Sequence, residues 1–314
     1  LVKNISIQQN KLSVKLAEKN VAIAKGNFLP NLNGSSSGNY NVGLSPDQTG
    51  VLTNTNNFNG SLNLTSSGII FNGFRNTNTY KQAQLGVESS LYDLKKIEND
   101  ISLRVVNTYL NVLFAKENLE VASVQAAISK KQIEAAKARF EAGAIAKGEL
   151  LNFQSTAAND LQSVILQENA LDLALLNIAQ LLQEPVKGFD VAPIEVETPS
   201  VNLLYDNSTA VFQKSLDYMP EIANAKLAIE NADFNIEIAK SAFLPTLTYN
   251  VGAGTSYFHQ FNNLFPGQAN SSFGTQFFDR FQYGAGISLN IPIFNRFQTK
   301  NRVAQSLINK EVSV

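Results

Sequence analysis

His259 is the only imidazole in the sequence, and no cysteine accompanies it. A metal centre needs several such donors converging, so none is expected, and thiolate or disulfide chemistry is excluded. The triplets Gly252-Ala253-Gly254 and Gly284-Ala285-Gly286 are glycine-rich, but neither opens a helix, so neither offers the ring of amides that cradles a phosphate. They fit close strand packing instead. Glu98 and Glu168 interrupt apolar heptad patterns and read as irregularities or inter-helix polar contacts. No Ser/His/Asp, Cys/His or paired-carboxylate set converges anywhere, so no enzyme and no cofactor is expected. A net charge of −1 gives no attraction for nucleic acid. Sequons such as Asn33-Gly34-Ser35 arise by chance in an Asn- and Ser-rich chain. What remains is uncharged polar chemistry, set at alternate positions.

That alternation defines four strands. Asn31, Asn33, Ser35, Ser37, Asn39 and Asn41 fall on one parity, and Leu32, Gly34, Ser36, Gly38, Tyr40 and Val42 on the other. A period of two is the mark of a strand with one wet face. Phe58, Gly60, Leu62 and Leu64 alternate with Asn59, Ser61, Asn63 and Thr65. Leu247, Tyr249, Val251, Ala253 and Tyr257 alternate with Thr248, Asn250, Gly252, Gly254 and Ser256. Phe281, Tyr283, Ala285, Ile287, Leu289, Ile291 and Ile293 alternate with Gln282, Gly284, Gly286, Ser288 and Asn290. The expected strands are about 8–13 residues long, the span of a tilted transmembrane strand, with polar hairpin connections near 43–57 and 258–280.

The elements carrying these strands occur twice. Residues 11–32, KLSVKLAEKNVAIAKGNFLPNL, match residues 226–247, KLAIENADFNIEIAKSAFLPTL, at eleven of 22 positions without a gap. Two equivalent halves follow, since this period is too long for a solenoid. A helix is expected over 2–27, with Ile5, Leu12, Leu16 and Ile23 among its apolar positions, ended by Phe28-Leu29-Pro30. Between the halves, residues 75–140 hold no proline and a single glycine. Stepping by 4 and 3 from Val87 to Phe140 meets thirteen apolar residues in sixteen, a sustained heptad seam. At 1.5 Å per residue such a helix spans roughly 100 Å. A second seam runs Leu150, Gln154, Ala157, Leu161, Val164, Glu168, Leu171, Leu175, Ile178 and Leu182, and Pro185 closes it. The two helices form an antiparallel hairpin. A helix resumes near Ser208 and, after Pro220, runs to Ala242.

Lipid cannot satisfy an open sheet edge, so membrane strands must close into a cylinder, and small barrels need about eight. Four strands therefore require copies to pool theirs, giving 8, 12 or 16. Tyr40, Phe58, Tyr249, Tyr257, Phe281 and Tyr283 are candidate interfacial aromatics.

The duplicated IAKxxFLPxL junctions, the strand-to-helix junctions SSGIIFNGFRN (66–76) and LNIPIFNRFQT (289–299), and the turn ARFEAGAIAKGELLNFQ (138–154) resemble the TolC-like outer-membrane efflux proteins. The resemblance covers the whole chain. It implies a mainly α fold with membrane β: a long antiparallel α-helical hairpin of a periplasmic α-barrel, plus two β-hairpins giving four strands to a shared 12-stranded trimeric barrel. By region, the periplasmic helices of the two repeats are 1–28 and 208–242, and the barrel hairpins 29–71 and 243–294. The coiled-coil hairpin is 72–183, an irregular equatorial segment 184–207, and the start of a truncated second helical hairpin 295–314. The resemblance implies a homotrimer in the outer membrane, reaching into the periplasm, whose tip docks an adaptor that bridges to an inner-membrane transporter. Carried over by position, Arg139, Phe140, Gly143, Glu149, Leu150 and Leu151 lie at that tip. Asn31, Asn33, Asn59, Asn63, Asn250, Ser288 and Asn290 would line the barrel lumen. Tyr40, Leu62, Tyr249, Tyr283, Ile287 and Leu289 would face outer-membrane lipid. About 110 residues of hairpin follow the first strand-to-helix junction and about 20 the second, so a longer parent protein is expected. The expected function is a passive export duct. The alternatives are a secreted pore-forming toxin and a coiled-coil scaffold with a soluble sheet.

Overall fold

A computed structural model describes residues 2–46, 50–193, 207–262 and 269–314. The chain divides into two compact units, Leu1–Lys15 with Ser90–Asn224, and Leu16–Ser89 with Ala225–Val314.

The first unit is helical. Its main elements come from α2 (Arg75–Glu141) and α3 (Lys147–Leu182). The buried residues of α2, Ile101, Val112, Ala115, Ser129 and Ala136, all lie on the expected 4-3 seam. The seam of α3 holds at Leu150, Ala157, Val164, Leu171, Leu175, Ile178 and Leu182 and is corrected at three positions. Gln154, Leu161 and Glu168 are exposed, whereas Phe153, Asp160 and Gln167 are half-buried. The physical reason is Asp160, which accepts hydrogen bonds from Ser129 Oγ and, at 3.3 Å, from Gln125 Nε2. With that carboxylate turned inward, the packed position at this step moves back from Leu161 to Asp160, and Leu161 is left 59% exposed. Neither Glu98 nor Glu168 is the inter-helix polar contact; both are exposed.

Helix α1 (Ile5–Gly26) is capped by Asn4, whose Oδ1 accepts from the amides of Ser6 and Ile7 at 3.0 and 3.3 Å. The Asn4 Nδ2 donates to Leu181 O at 3.0 Å, fixing the helix start to the end of α3. The apolar positions named from the sequence are not the covered ones. Ile5, Leu12, Leu16 and Ile23 are 56–66% exposed, while Ile7, Val14 and Ala24 are buried. Two stripes share one helix, and this chain covers only one of them. Residues 184–193 of the expected irregular segment run beside α2 without regular structure, held by Lys116 to Asp190 at 2.6 Å and by Tyr109 Oη to Ala192 O at 2.8 Å. Residues 194–206 of that segment, which include Pro199, lie outside the described residues. Helix α4 (Ser208–Tyr218) follows, and α5 (Pro220–Lys240) begins at the proline, where a missing N–H costs nothing.

The second unit holds a four-stranded antiparallel sheet in the order β1 (Asn31–Pro46), β2 (Leu52–Asn72), β3 (Thr246–Gln260), β4 (Gln282–Asn290). The strands hold 16, 21, 15 and 9 residues, so three exceed the expected length. For β1 and β2 the reason is that residues 43–46 and 52–57 of the supposed loop still pair, and β3 runs on to Gln260 by pairing with Asn57–Asn59. Thr55 Oγ1 donates to Gly43 O at 2.9 Å and Thr53 Oγ1 to Ser45 O at 3.2 Å. Phe281, Ile291 and Ile293 fall outside β4. The supposed loop 258–280 contains α6 (Phe273–Asp279), and α7 (Gln298–Ser313) follows β4. Above the end of β4, two carboxamides cap the free edge of β3. Asn270 pairs with both N and O of Gln260, at 2.9 and 2.7 Å, and Gln276 pairs with both N and O of Phe258, at 2.9 and 2.8 Å.

The duplication extends to backbone conformation. Gly73 and Phe74 (φ 65° and 64°) enter α2 through two successive left-handed residues, and Arg296 and Phe297 (54° and 59°) enter α7 the same way. At both junctions a phenylalanine pair meets edge to face, Phe71–Phe74 at 5.3 Å and Phe294–Phe297 at 5.4 Å.

Candidate lumen face and docking tip

Pairing register decides which side chains share a face of the sheet. Asn31 pairs with Ser67, Asn33 with Thr65 and Asn59 with Asn39. Ser67 in turn pairs with Asn250, and Asn63 with Gly254. Thr246 pairs with Asn290 and Thr248 with Ser288. Directly opposed residues point the same way, so Asn31, Asn33, Asn59, Asn63, Asn250, Ser288 and Asn290 occupy one continuous face. Tyr40, Leu62, Tyr249, Tyr283, Ile287 and Leu289 occupy the other. No residue of β1 to β4 is Asp, Glu, Lys or Arg.

The polar face is stitched by its own neutral groups. Asn31 Oδ1 accepts from Ser67 N and Oγ at 2.8 and 2.9 Å. Ser37 and Ser61 hydroxyls meet at 2.8 Å, and Asn41 and Asn59 both donate to Asn57 Oδ1, at 3.1 and 3.0 Å. Such a surface is wettable and has no fixed charge. The opposite face carries large exposed apolar groups, Tyr283 at 84% and Ile287 at 74%. Contiguous exposed apolar surface on this scale marks contact with something other than water. Phe273 of α6 extends it, packing 5.4 Å from Tyr257 on the same side.

The six tip residues gather at the α2–α3 turn. Gly143 (φ 76°) ends α2: its N–H donates to Phe140 O at 2.9 Å, and the next amide, Ala144, donates to Arg139 O at 2.8 Å. This paired closure needs a left-handed residue, hence the glycine. Glu149 sits in the first turn of α3, favoured by the helix dipole, although Ala146 provides no side-chain cap. Arg139, Phe140, Glu149 and Leu151 are exposed, and Leu150 is half-buried.

Sequence reasoning missed the Asp160–Ser129 link and the Asn270 and Gln276 caps. A serine on one seam beside an aspartate one step off the other was the available signal for the first. For the caps there was none, because a carboxamide imitating a strand needs tertiary placement. Lys116 and the Val191 amide, both hydrogen-bonded to Asp190, hold its carboxyl below the usual range, and Asp100 raises Lys96. Among the described residues no cluster could hold a metal ion, and no helix is long and apolar enough to cross a membrane.

The model of the outer membrane efflux protein family matches residues 1–183 and 211–314. The chain belongs to that family. Among its relatives are the pyoverdine export outer membrane protein OpmQ of Pseudomonas aeruginosa, 26% identical over 305 residues, and the outer membrane efflux protein BepC of Brucella suis, 21% identical over 306 residues. The match takes in 95% and 96% of this chain but 60% of each relative, so the chain spans well under two thirds of their length. The fold is shared with solved channels. The CmeC outer membrane channel of Campylobacter jejuni superposes with a TM-score of 0.76 at 19% identity, over 99% of this chain and 63% of that one. CusC gives 0.76 at 19%, over 100% and 68%.

Proposed function

We propose that this chain is a subunit of a trimeric outer-membrane export channel, a passive duct working with a periplasmic adaptor and an inner-membrane pump. The observation that carries the reading is the sheet: one uncharged polar face, one exposed apolar face, and two unpaired edges. In lipid those edges must be paired by other copies, and the polar face must then turn inward to water. Asn31, Asn33, Asn59, Asn63, Asn250, Ser288 and Asn290 line the lumen in this reading, and Tyr40, Leu62, Tyr249, Tyr283, Ile287 and Leu289 meet lipid.

A second apolar stripe on α2 supports the helical half of the reading. Leu103, Leu110, Phe114, Val121, Val124 and Ile128 recur at heptad spacing and are 46–69% exposed. A hairpin with one seam filled and one open is suited to stand between neighbours in a ring. The tip residues Arg139, Phe140, Gly143, Glu149, Leu150 and Leu151 would meet the adaptor. Relatives are named for pyoverdine export and for alkaline protease secretion. A neutral Asn/Ser/Thr wall has little with which to choose between such cargoes, so selection falls to the pump.

Cysteines placed at Leu62 and Ile287 should react with a membrane-dissolved probe, and those at Asn63 and Ser288 with a water-soluble one. The purified full-length protein should conduct ions in a planar bilayer. The reverse labelling pattern, or a soluble monomer without conductance, would reject the duct.

A further inference from the structure

Helix α6 lies on the apolar face of the sheet and is fixed there by polar links. Thr255, opposite Leu62 on that face, donates from Oγ1 to Phe277 O at 2.8 Å. Gln276 is 4% exposed; its Nε2 donates to Phe258 O and Ser271 O at 2.8 and 2.9 Å, and its Oε1 accepts from Phe258 N at 2.9 Å. At the start of the helix, Ser272 Oγ accepts from Thr275 N at 3.2 Å. Both ends of this short helix therefore have protein partners. Hydrocarbon cannot supply such bonds, so capped ends are what a helix held in lipid requires. From this base Phe273 and Phe278 stand 58% and 76% exposed.

Height along the strand places α6 in one leaflet. Thr255 is nine residues along β3 from Thr246, where the strand leaves the helical end. At about 3.4 Å per residue and a tilt of about 40°, it stands roughly 23 Å up an apolar band of about 25 Å. In the barrel reading the helices are periplasmic, so this height belongs to the outer leaflet.

An open cleft runs between α6 and the first two strands. Its upper part, about 200 Å³, has Ser36, Phe58, Gly60, Leu62, Phe273 and Phe277 in its lining. It continues past Ser36, Leu62 and Phe277 into a lower part of about 530 Å³, where Leu64, Ala253 and Phe281 join. The rings of Phe58, Tyr257, Phe273 and Phe277 form a continuous aromatic wall, with successive centroids 6.2, 5.4 and 5.9 Å apart. Two glycines let Phe58 lie down on the sheet: an added Cβ would stand 3.0 Å from its ring at Gly38 and 3.3 Å at Gly60.

Resting on the barrel reading above, we propose that this cleft binds one acyl chain of an outer-leaflet lipid, with α6 as its outer wall. The cleft is continuous with the face that meets lipid, and no charged side chain lines it. The Thr255 and Tyr257 hydroxyls are already engaged, with Phe277 O and His259 Nδ1. Polar groups that would orient a drug-like ligand are therefore not on offer. An empty apolar groove forfeits dispersion contacts along its whole lining, and a hydrocarbon chain entering from the side restores them. Recognition is by shape and apolar area alone, so the head group is not selected.

This sequence has no tryptophan, so an introduced one reports its own surroundings; any tryptophan elsewhere in the full-length protein is first replaced by phenylalanine. Phe277→Trp tests the cleft, Phe278→Trp the outer side of α6, and Ile287→Trp the lipid face of β4. Each full-length variant is reconstituted in phosphatidylcholine vesicles with brominated acyl chains, and its fluorescence is compared with that in unbrominated vesicles and with aqueous iodide added. Bromine should quench all three, and iodide none. Adding Ser36→Leu, which fills the cleft from β1, should remove most of the quenching at Phe277→Trp and leave the other two quenched. If Ser36→Leu also changes Phe278→Trp, α6 has moved, and Leu62→Phe fills the cleft from β2 instead. Quenching of Phe277→Trp that survives filling is contact with ordinary boundary lipid and overturns the chain site. So does a Phe277→Trp silent to bromine, or iodide quenching on α6, while Ile287→Trp still responds to bromine; the duct then stands. An Ile287→Trp silent to bromine sinks the barrel reading and the cleft with it.

Discussion

Gly73 is the position where one added methyl group tests the packing of the strand-to-helix junction. Its φ of 65° lies in the left-handed region, and an added Cβ would sit 2.6 Å from the backbone oxygen of Ser241 and 2.9 Å from Leu244 Cβ. The conformational part of Gly73→Ala costs about 1–2 kcal/mol. That part alone is tolerable, since Phe74, Arg296 and Phe297 hold side chains at similar φ. The steric part is the larger concern, because the nearest atom is main chain at the end of α5 and cannot swing aside. Overpacking of this kind adds about 1–3 kcal/mol, so the total is roughly 2–5 kcal/mol. The control is Gly86→Ala, where a Cβ meets nothing within 4 Å in α2 and a gain of about 0.5–1 kcal/mol is expected. Folded fraction across a urea series, read as gel mobility of full-length protein refolded into vesicles, measures both. A Gly73→Ala variant within about 0.5 kcal/mol of the parent would refute the claim that the junction is closed by that contact.

On the sheet, Ile287→Arg should cost about 2–4 kcal/mol near the bilayer midplane, while Ser288→Arg next to it should leave stability unchanged and shift ion selectivity toward anions, both read in bilayers and urea titrations. In the hairpin, Ser129→Ala strips the Asp160 carboxylate of a close donor and should cost about 1–3 kcal/mol, against near zero for exposed Glu168→Ala; thermal melting compares them. Asp190 has its carboxyl held low by Lys116, so its stabilising contribution is present above the ordinary aspartate range and is lost as pH falls through the depressed value. Hydrogen exchange over residues 184–193 should rise in that acid window in the parent. In Lys116→Ala the exchange should be faster at neutral pH and its acid dependence smaller.

Much of this protein was legible in order along the chain. Alternation of Asn and Ser with Leu, Tyr and Gly from residue 31 onward needs no tertiary information to name a two-faced strand, because successive side chains must point to opposite sides. The α2 seam was equally plain, since a heptad stripe over many turns can lie on only one face. The strand ends were less plain. Thr53 and Thr55 carry turn-like neighbours, and their pairing with Ser45 and Gly43 was settled only by the opposing strand.

Sequence by itself therefore determined the long helices, the four strands with their two faces and the duplication, all of which follow from periodicity along the chain. Tertiary structure decided which of two stripes is buried. On α1, Ile7 and Val14 are covered and Leu12 and Leu16 are not; on α3, Asp160 turns in and Leu161 turns out. A helix with two apolar stripes is degenerate from within. Only the partner it meets, through a hydrogen bond such as Ser129 to Asp160, breaks the tie. Register between strands is likewise a property of pairs, and no single strand contains it.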